Sequence, residues 1–198
     1  MTNDESQQTN HKKAAILFLL KELADDDTFY LVCYALFHSD TEISIGAALV
    51  LGHLRDARAL NFLLRALLTT DQKRAEAIMW ALGEIGDDKS VPYLKDALEA
   101  GFAMKSAILA LGKIGAPTIA RSLLNSLHHK DETVRALAAR ALSQLRFEQQ
   151  KPAILDLLPE LKNHLARETS RRVKLMIAIT LSRLERIPLY SQTASDHG

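Results

Sequence analysis

The chain has 198 residues, and its 25 Lys and Arg nearly balance its 24 Asp and Glu, so the formal net charge is +1. This balance argues against a dedicated nucleic-acid binder, because such proteins usually carry a strongly basic face. The only cysteine, Cys33, excludes an intramolecular disulfide framework and a multi-cysteine metal site.

The first residues, MTNDESQQTNHKK, are polar and lack the apolar core of a secretory signal peptide. The apolar run AAILFLL at 14–20 is too short to span a bilayer. We therefore predict a disordered amino terminus at residues 1–10, no membrane span, and a cytoplasmic location.

The rest of the chain repeats itself with a period of about 30 residues, which is typical of repeat proteins. Gly52, Gly83 and Gly112 occupy equivalent positions in ALVLGHL, IMWALGEIG and ILALGKIG, with spacings of 31 and 29 residues. Residues 29–40 align with residues 60–71 without a gap. The predicted repeats and the closing helix are residues 11–39, 40–70, 71–99, 100–130, 131–165 and 168–185.

Each repeat has the pattern of two helices joined by a short turn. In residues 131–145 the apolar side chains recur at helical spacing, and Asp131 can cap the start of the first helix. A small residue and the glycine that follows it, as in GEIG at 83–86, are predicted to end that helix, because Gly adopts left-handed backbone readily. Ser90 is predicted to cap the second helix. No strand is predicted before GEIG, which argues against a phosphate-binding loop.

Three stretches of the repeats resemble a known family. Residues 77–98 (AIMWALGEIGDDKSVPYLKDAL), 107–115 (AILALGKIG) and 131–145 (DETVRALAARALSQL) resemble the short HEAT-like repeats of the phycobilisome-lyase family. With the periodicity, this predicts an all-α fold: a right-handed α-solenoid of about five and a half helical-hairpin repeats. We expect a single domain at residues 11–186, followed by a flexible carboxyl-terminal tail at 187–198.

Side chains that could carry chemistry are sparse. The seven histidines form neither an HExxH motif nor a His–Glu pair. His128 and His129 are adjacent on a helix, a poor arrangement for sharing one metal ion, so we interpret them as solvated residues at a helix end. Cys33 has no basic neighbour in register and is interpreted as a structural, partly buried thiol. We predict no catalytic residue and no metal ligand.

A row of apolar residues is predicted to bind a partner. In the first helices of three consecutive repeats, Leu49, Trp80 and Leu109 occupy a position that is expected to point away from the core. Their alignment favours a partner-binding ridge, because contiguous exposed apolar residues often mark interfaces. The alternative interpretation is scattered surface residues, which are normal on soluble proteins.

The second helices are expected to line a concave groove. There the first repeat offers Tyr30, Tyr34 and Phe37, and later repeats offer Arg65 and Arg121. An aromatic wall that leads into arginines could hold a flat ligand with carboxylates, since Arg pairs with a carboxylate through two hydrogen bonds. The alternative is that the tyrosines only cap the first repeat.

The resemblance implies a function in bilin attachment. The chain is similar to the smaller, F-type subunit of E/F-type lyases, which act with a second HEAT-like subunit to attach phycocyanobilin to a cysteine of the phycocyanin alpha subunit. In that role the chain is part of an enzyme, no cofactor is bound permanently, and phycocyanobilin is the transferred chromophore. The nucleophilic thiol then belongs to the phycobiliprotein. The alternative is a non-catalytic HEAT-repeat adaptor or scaffold, which includes a phycobilisome-degradation factor.

Overall fold

The computed structural model describes residues 26–68, 71–146 and 151–186, with the backbone alone at 151–156. Within these ranges the chain forms α-helices joined by turns, and no described residue lies in a strand. The helices are α1 (Asp26–Ala35), α2 (Thr41–Leu54), α3 (Leu60–Ala66), α4 (Gln72–Ile85), α5 (Val91–Glu99), α6 (Met104–Ile114), α7 (Ala120–Ser126), α8 (Glu132–Gln144), α9 (Lys151–Arg167) and α10 (Arg171–Glu185). The predicted disordered segment 1–10, the first helix of the predicted repeat 11–39 and the predicted tail 187–198 lie outside the described residues.

The predicted all-α class is confirmed, and the helices divide into two compact units. The first unit ends at Ile85 and contains α1 to α4, and the second begins at Gly86 and contains α5 to α10. In the first unit α2 packs on α4, while α1 packs on α2 and α3 on α4. In the second unit α6 packs on α8 and α8 on α10, while α5 packs on α6 and α7 on α8. Within each unit, therefore, the first helices of successive hairpins lie side by side.

Large apolar residues fill the core of each unit, and alanines line the places where helices come close. The largest fully buried side chains include Phe29, Leu36, Leu51, Leu63, Ile78, Met79 and Leu82 in the first unit, and Leu94, Ile108, Leu111 and Ile119 in the second. Burial of each such side chain contributes roughly 1.5–3 kcal/mol. In α8 the alanines at 136, 138, 139 and 141 are all buried, which allows α8 to pack between α6 and α10.

Aspartates start several of these helices. The side chain of Asp131 accepts a hydrogen bond from the backbone N–H of Thr133 at 2.7 Å, so the predicted cap at Asp131 is confirmed. The predicted cap at Ser90 is wrong, because Ser90 is buried and its hydroxyl donates to the carbonyl of Asp87 at 2.6 Å. Asp87 is the residue that caps, and its carboxylate accepts from the N–H of Lys89 at 2.8 Å.

Glycine has two different roles in the helices. Gly86 and Gly115 follow α4 and α6 with φ of +74° and +73°, so the later glycine of each pair stops the helix as predicted. The earlier small residue does not contribute to the stop, because Gly83 and Gly112 lie buried inside the last turns. In α2 the stop falls on Arg55, whose φ of 53° lies in a region that costs energy for a residue with a Cβ.

The glycines inside α2 and α6 mark where neighbouring first helices touch. A Cβ at Gly52 would collide with the ring of Trp80 and would lie 2.9 Å from Cα of Ala81. A Cβ at Gly112 would lie 2.6 Å from Oε1 of Gln144 and 3.0 Å from Cβ of Ala141. Close packing therefore favours glycine at both positions. We refer to these contacts as the Gly52 seam of the first unit and the Gly112 seam of the second.

Candidate functional site

Three aromatic side chains of the first unit are exposed together. Tyr30, Tyr34 and Phe37 are 40%, 64% and 46% exposed. Residues four and three positions apart lie on one face of a helix, which explains why α1 and the turn after it present the three rings on the same side. The structure thus places side by side the aromatic residues that the sequence assigned to a groove.

A fourth ring and an arginine complete this surface. Phe62 of α3 contacts both tyrosines, with ring centroids 6.1 Å from Tyr30 and 5.9 Å from Tyr34. The guanidinium of Arg65 lies over the ring of Phe37, 5.6 Å from its centroid. The sequence reading missed Phe62, although its position three residues before Arg65 places it on the same helical face. We call Tyr30, Tyr34, Phe37, Phe62 and Arg65 the aromatic surface.

The guanidinium of Arg65 is the charge that this surface offers to a ligand. None of the acidic side chains that the structure describes forms an ion pair with Arg65, and its side chain is exposed. Arg58, also in the first unit, is engaged differently, because it pairs with Asp26 at 2.5 Å and with Asp56 at 2.7 Å. Of these two arginines, therefore, Arg65 can bind an anionic group without breaking an internal ion pair.

Arg121, the other predicted groove arginine, belongs to α7 in the second unit. Its Nη1 donates to Oε2 of Glu160 at 2.5 Å, and both side chains are partly exposed. A guanidinium has five N–H donors, so this ion pair leaves several of them for other acceptors.

The predicted partner-binding ridge has unequal members. Leu49 is 40% exposed, whereas Trp80 and Leu109 are half-buried. The ring of Trp80 packs over Gly52, and its centroid lies 5.0 Å from that of His53. Trp80 therefore contributes to the helix packing of the first unit as well as to its surface.

Cys33 is completely buried in α1, deeper than the sequence suggested. Burial, with the nearby negative charge of Asp56, raises the pKa of the Cys33 thiol to about 11. A thiol acts as a nucleophile only as its thiolate, so Cys33 is unreactive at neutral pH.

The second unit contains a polar pocket that the sequence reading did not identify. Its volume is about 570 Å³, and it lies between the turn after α7 and the carboxyl-terminal half of α9. The residues around it include His128, His129, Lys130, Glu160, His164 and Arg167. His128 is exposed, as expected of a solvated helix end, but its ring packs edge-on against His164 with centroids 4.6 Å apart.

One wall of the polar pocket is an ion pair between the half-buried Arg135 and the buried Glu168. Their side chains are joined by hydrogen bonds of 2.9 and 3.1 Å. The Arg135 guanidinium, followed by the N–H groups of Ser170 and Thr169, lowers the pKa of the Glu168 carboxyl to about 2. The carboxylate is therefore charged throughout the neutral range.

Two kinds of site are absent from the part of the chain that the structure describes. There, no group of three His, Cys, Asp or Glu side chains is arranged to hold a metal ion. None of the described helices has the length and apolar character needed to cross a membrane.

Comparison with protein families matches two kinds of helical repeat. A model of HEAT repeats matches residues 2–79 and 103–182. A model of the PBS lyase HEAT-like repeat matches residues 75–100, which contain the GEIG motif. No curated protein matches the chain.

Solved structures of repeat proteins share the fold. Two engineered proteins from the Northeast Structural Genomics Consortium are each 20% identical to this chain with a TM-score of 0.63. The first alignment covers 84% of this chain and 83% of the engineered protein. The second covers 93% of this chain and 94% of the engineered protein. A designed armadillo repeat protein is 16% identical with a TM-score of 0.60, over 83% of this chain and 85% of its own. These likenesses confirm the predicted α-solenoid class and, at such identities, concern the fold alone.

Proposed function

This chain belongs to the HEAT-repeat family, and on that premise we propose that it is a binding subunit that holds a flat, acidic ligand on the aromatic surface. The observation that carries the proposal is the group of exposed rings beside Arg65. Exposed tyrosines and arginines are the residue types that contribute most binding energy at interfaces.

The chemistry of the aromatic surface suits a conjugated molecule with carboxylates. The rings of Tyr34 and Phe62 meet nearly at right angles, so a planar ligand can stack on one ring while it meets the edge of the other. Arg65 can bind a carboxylate through two parallel hydrogen bonds. Phycocyanobilin, a linear tetrapyrrole with two carboxylates, belongs to this class.

We further propose that the chain is a subunit of a bilin lyase that attaches phycocyanobilin to a cysteine of the phycocyanin alpha subunit. The match of residues 75–100 to the PBS lyase HEAT-like repeat supports this role. Cys33 is buried and its thiol has a raised pKa, which supports an acceptor thiol on the phycobiliprotein and not on this chain. The contribution of the chain is then to orient the bilin near that thiol, which accelerates a reaction without a catalytic side chain.

A second HEAT-like subunit is part of this proposal. One short chain presents one wall to a flexible tetrapyrrole, and a second wall would exclude water from it. The residues proposed to contact that subunit are Leu49 and Trp80 in the first unit and Leu109 in the second, of which Leu49 is the most exposed.

The experiment is co-production of the chain with a longer HEAT-like partner, phycocyanobilin and the apo-phycocyanin alpha subunit. We expect a covalent fluorescent adduct that forms more slowly with Tyr34→Ala or Arg65→Gln, because each change removes a ligand contact. Tyr93→Ala is the matched control, since Tyr93 is a 46% exposed tyrosine outside the aromatic surface. Cys33→Ala is expected to leave the adduct yield unchanged.

Two results would overturn the lyase role. One is equal adduct formation by the partner and substrates without this chain. The other is that the purified chain binds neither phycocyanobilin nor the apoprotein. Either result would favour the adaptor or degradation-factor function, in which the same surfaces bind proteins and no bilin is transferred.

A further inference from the structure

The polar pocket of the second unit has no part in the proposed function, and its walls are held in place by internal contacts. The carboxylate of Glu168 accepts hydrogen bonds from Arg135 and from the N–H groups of Thr169 and Ser170, the last two at 2.9 Å. Arg135 also donates to the carbonyl of His129 at 3.0 Å. These contacts fix the turn after α7 relative to the end of α9, so the pocket is formed before any ligand arrives.

Two histidines of the pocket have tautomers that follow from their hydrogen bonds. Nε2 of His164 lies 2.8 Å from the carbonyl of Leu127, and a carbonyl only accepts, so this nitrogen carries the proton. Nδ1 of His129 accepts from the backbone N–H of Asp131 at 3.0 Å. The free Nε2 of His129 is therefore an N–H donor in the neutral ring.

The acids of the pocket are already paired, whereas two of its cations are not. Glu168 pairs with Arg135, and Glu160 pairs with Arg121. No acid among the side chains that the structure describes pairs with Lys130 or with Arg167, both of which are exposed. The pocket thus has two positive charges without an internal partner.

We propose that the polar pocket binds a compact dianionic group, either a phosphate group or a pair of carboxylates. Lys130 and Arg167 supply the charge, and the Nε2–H of His129 and the amide of Asn163 supply neutral donors. The volume of about 570 Å³ is in the range of small-molecule sites and accommodates such a group with part of the molecule that carries it. This binding goes beyond the proposed function, since it requires no bilin.

The test is a titration of the ¹⁵N-labelled full chain, with inorganic phosphate in one arm and succinate in the other. Sodium chloride at matched ionic strength is the reference. We expect saturable chemical-shift changes at the amides of His129, Lys130 and Thr169 with at least one anion. The tighter-binding anion identifies which dianion the pocket prefers.

Charge-removing variants complete the test. Lys130→Gln and Arg167→Gln are expected to weaken binding about tenfold each, which corresponds to one charge-assisted hydrogen bond. Lys174→Gln is the matched control, because Lys174 is exposed on α10 and does not line the pocket. It should leave the dissociation constant unchanged.

Three results would overturn the proposal. The first is that both anions cause the same shifts as sodium chloride, and the second is that Lys174→Gln weakens binding as much as Lys130→Gln. The third is that Arg167→Gln lowers the stability of the chain while neither anion binds. In that case Arg167 only neutralises the carbonyl end of α9.

Discussion

The two units pack neighbouring hairpins in the same way but stabilise them with different side chains. In both, the first helices of neighbouring hairpins touch at a glycine, but Trp80 lies over Gly52 in the first unit and Gln144 lies over Gly112 in the second. The second unit adds the ion pair of Arg135 and Glu168, whose side chains are 17% and 4% exposed. A repeat geometry can therefore be stabilised by an aromatic ring or by a charge pair, and the two have different vulnerabilities.

Buried hydrogen bonds between neighbouring hairpins occur in both units. In the first unit the hydroxyl of Ser44 is buried and donates to the carbonyl of Leu36 at 2.6 Å. In the second unit the hydroxyl of Thr180 is buried and lies 3.0 Å from the carbonyl of Ala139 and 2.9 Å from that of Met176. The contrast between the units therefore lies in the aromatic ring of the first and the ion pair of the second.

The largest expected effect is the loss of Arg135. In Arg135→Leu the Glu168 carboxylate stays buried without its main partner, and the free energy of unfolding should fall by about 3–5 kcal/mol. Urea unfolding at neutral pH measures this change. The control is Arg140→Leu on the same helix, where the side chain is exposed and the expected change is below about 0.5 kcal/mol. Equal effects of the two variants would show that the ion pair does not stabilise the unit.

The next effect is a dependence on pH. The pKa of Glu168 is lowered from 4.5 to about 2, so its stabilisation is complete above pH 4.5 and is lost as the pH falls towards 2. The expected loss is about 3 kcal/mol. Glu168→Gln should flatten most of this dependence in urea unfolding at different pH values. A remainder is expected from Asp131, whose pKa is lowered to about 2 chiefly by Lys105, at a more exposed position.

If the free energy of unfolding of Glu168→Gln falls with pH as steeply as that of the wild type, the assignment of the acid sensitivity to Glu168 is wrong. The acid sensitivity of the chain would then arise from other carboxylates than the buried one.

The Gly52 seam should show a smaller effect that does not depend on pH. In Gly52→Ala the added methyl meets the ring of Trp80 and Cα of Ala81, and this backbone atom cannot swing aside, so we expect a loss of about 1–3 kcal/mol. Gly46→Ala in the same helix is the control, because a Cβ there meets nothing within 4 Å. That variant should gain about 0.5–1 kcal/mol from helix propensity. Thermal unfolding should show a lower midpoint for Gly52→Ala and a higher one for Gly46→Ala. A higher midpoint for Gly52→Ala would show that the contact at Gly52 is not close.

The Gly112 seam should show the smallest effect. The nearest atom to an added Cβ is the side-chain Oε1 of Gln144, which can rotate away, whereas Ala141 at 3.0 Å cannot. We expect Gly112→Ala to cost about 1 kcal/mol. Adding Gln144→Ala should recover part of this loss, and a double-mutant cycle measures how much. A cost as large as that of Gly52→Ala would mean that the side chain of Gln144 is held rigidly.

Local patterns allowed much of the fold to be predicted. The period of about 30 residues and the 3.6-residue spacing of apolar positions indicated helical hairpins, because both features reside in contiguous sequence. The stops at Gly86 and Gly115 were recognisable for the same reason. The role of Gly52 was misjudged, because it depends on Trp80, which is 28 residues away and contacts it only in the folded unit.

The candidate sites were predictable to a different extent. Tyr30 and Tyr34 of α1 and Phe37 of the turn after it follow helical spacing, so their common exposure was predictable from that spacing alone. The polar pocket did not follow from any local pattern, because His164 meets His128 across 36 residues. Contacts at that separation depend on how two hairpins stack, which periodicity does not determine.

The burial of Cys33 has a consequence for the resistance of the chain to thiol-reactive molecules. At neutral pH a thiol with a pKa of about 11 is a thiolate in only about one molecule in ten thousand. A carrier with an exposed cysteine would become alkylated by a thiol-reactive cargo and would be consumed after one delivery. Cys33 is the only cysteine of this sequence and is enclosed in the first unit, so a thiol-reactive ligand bound in the proposed role would leave the folded chain unmodified.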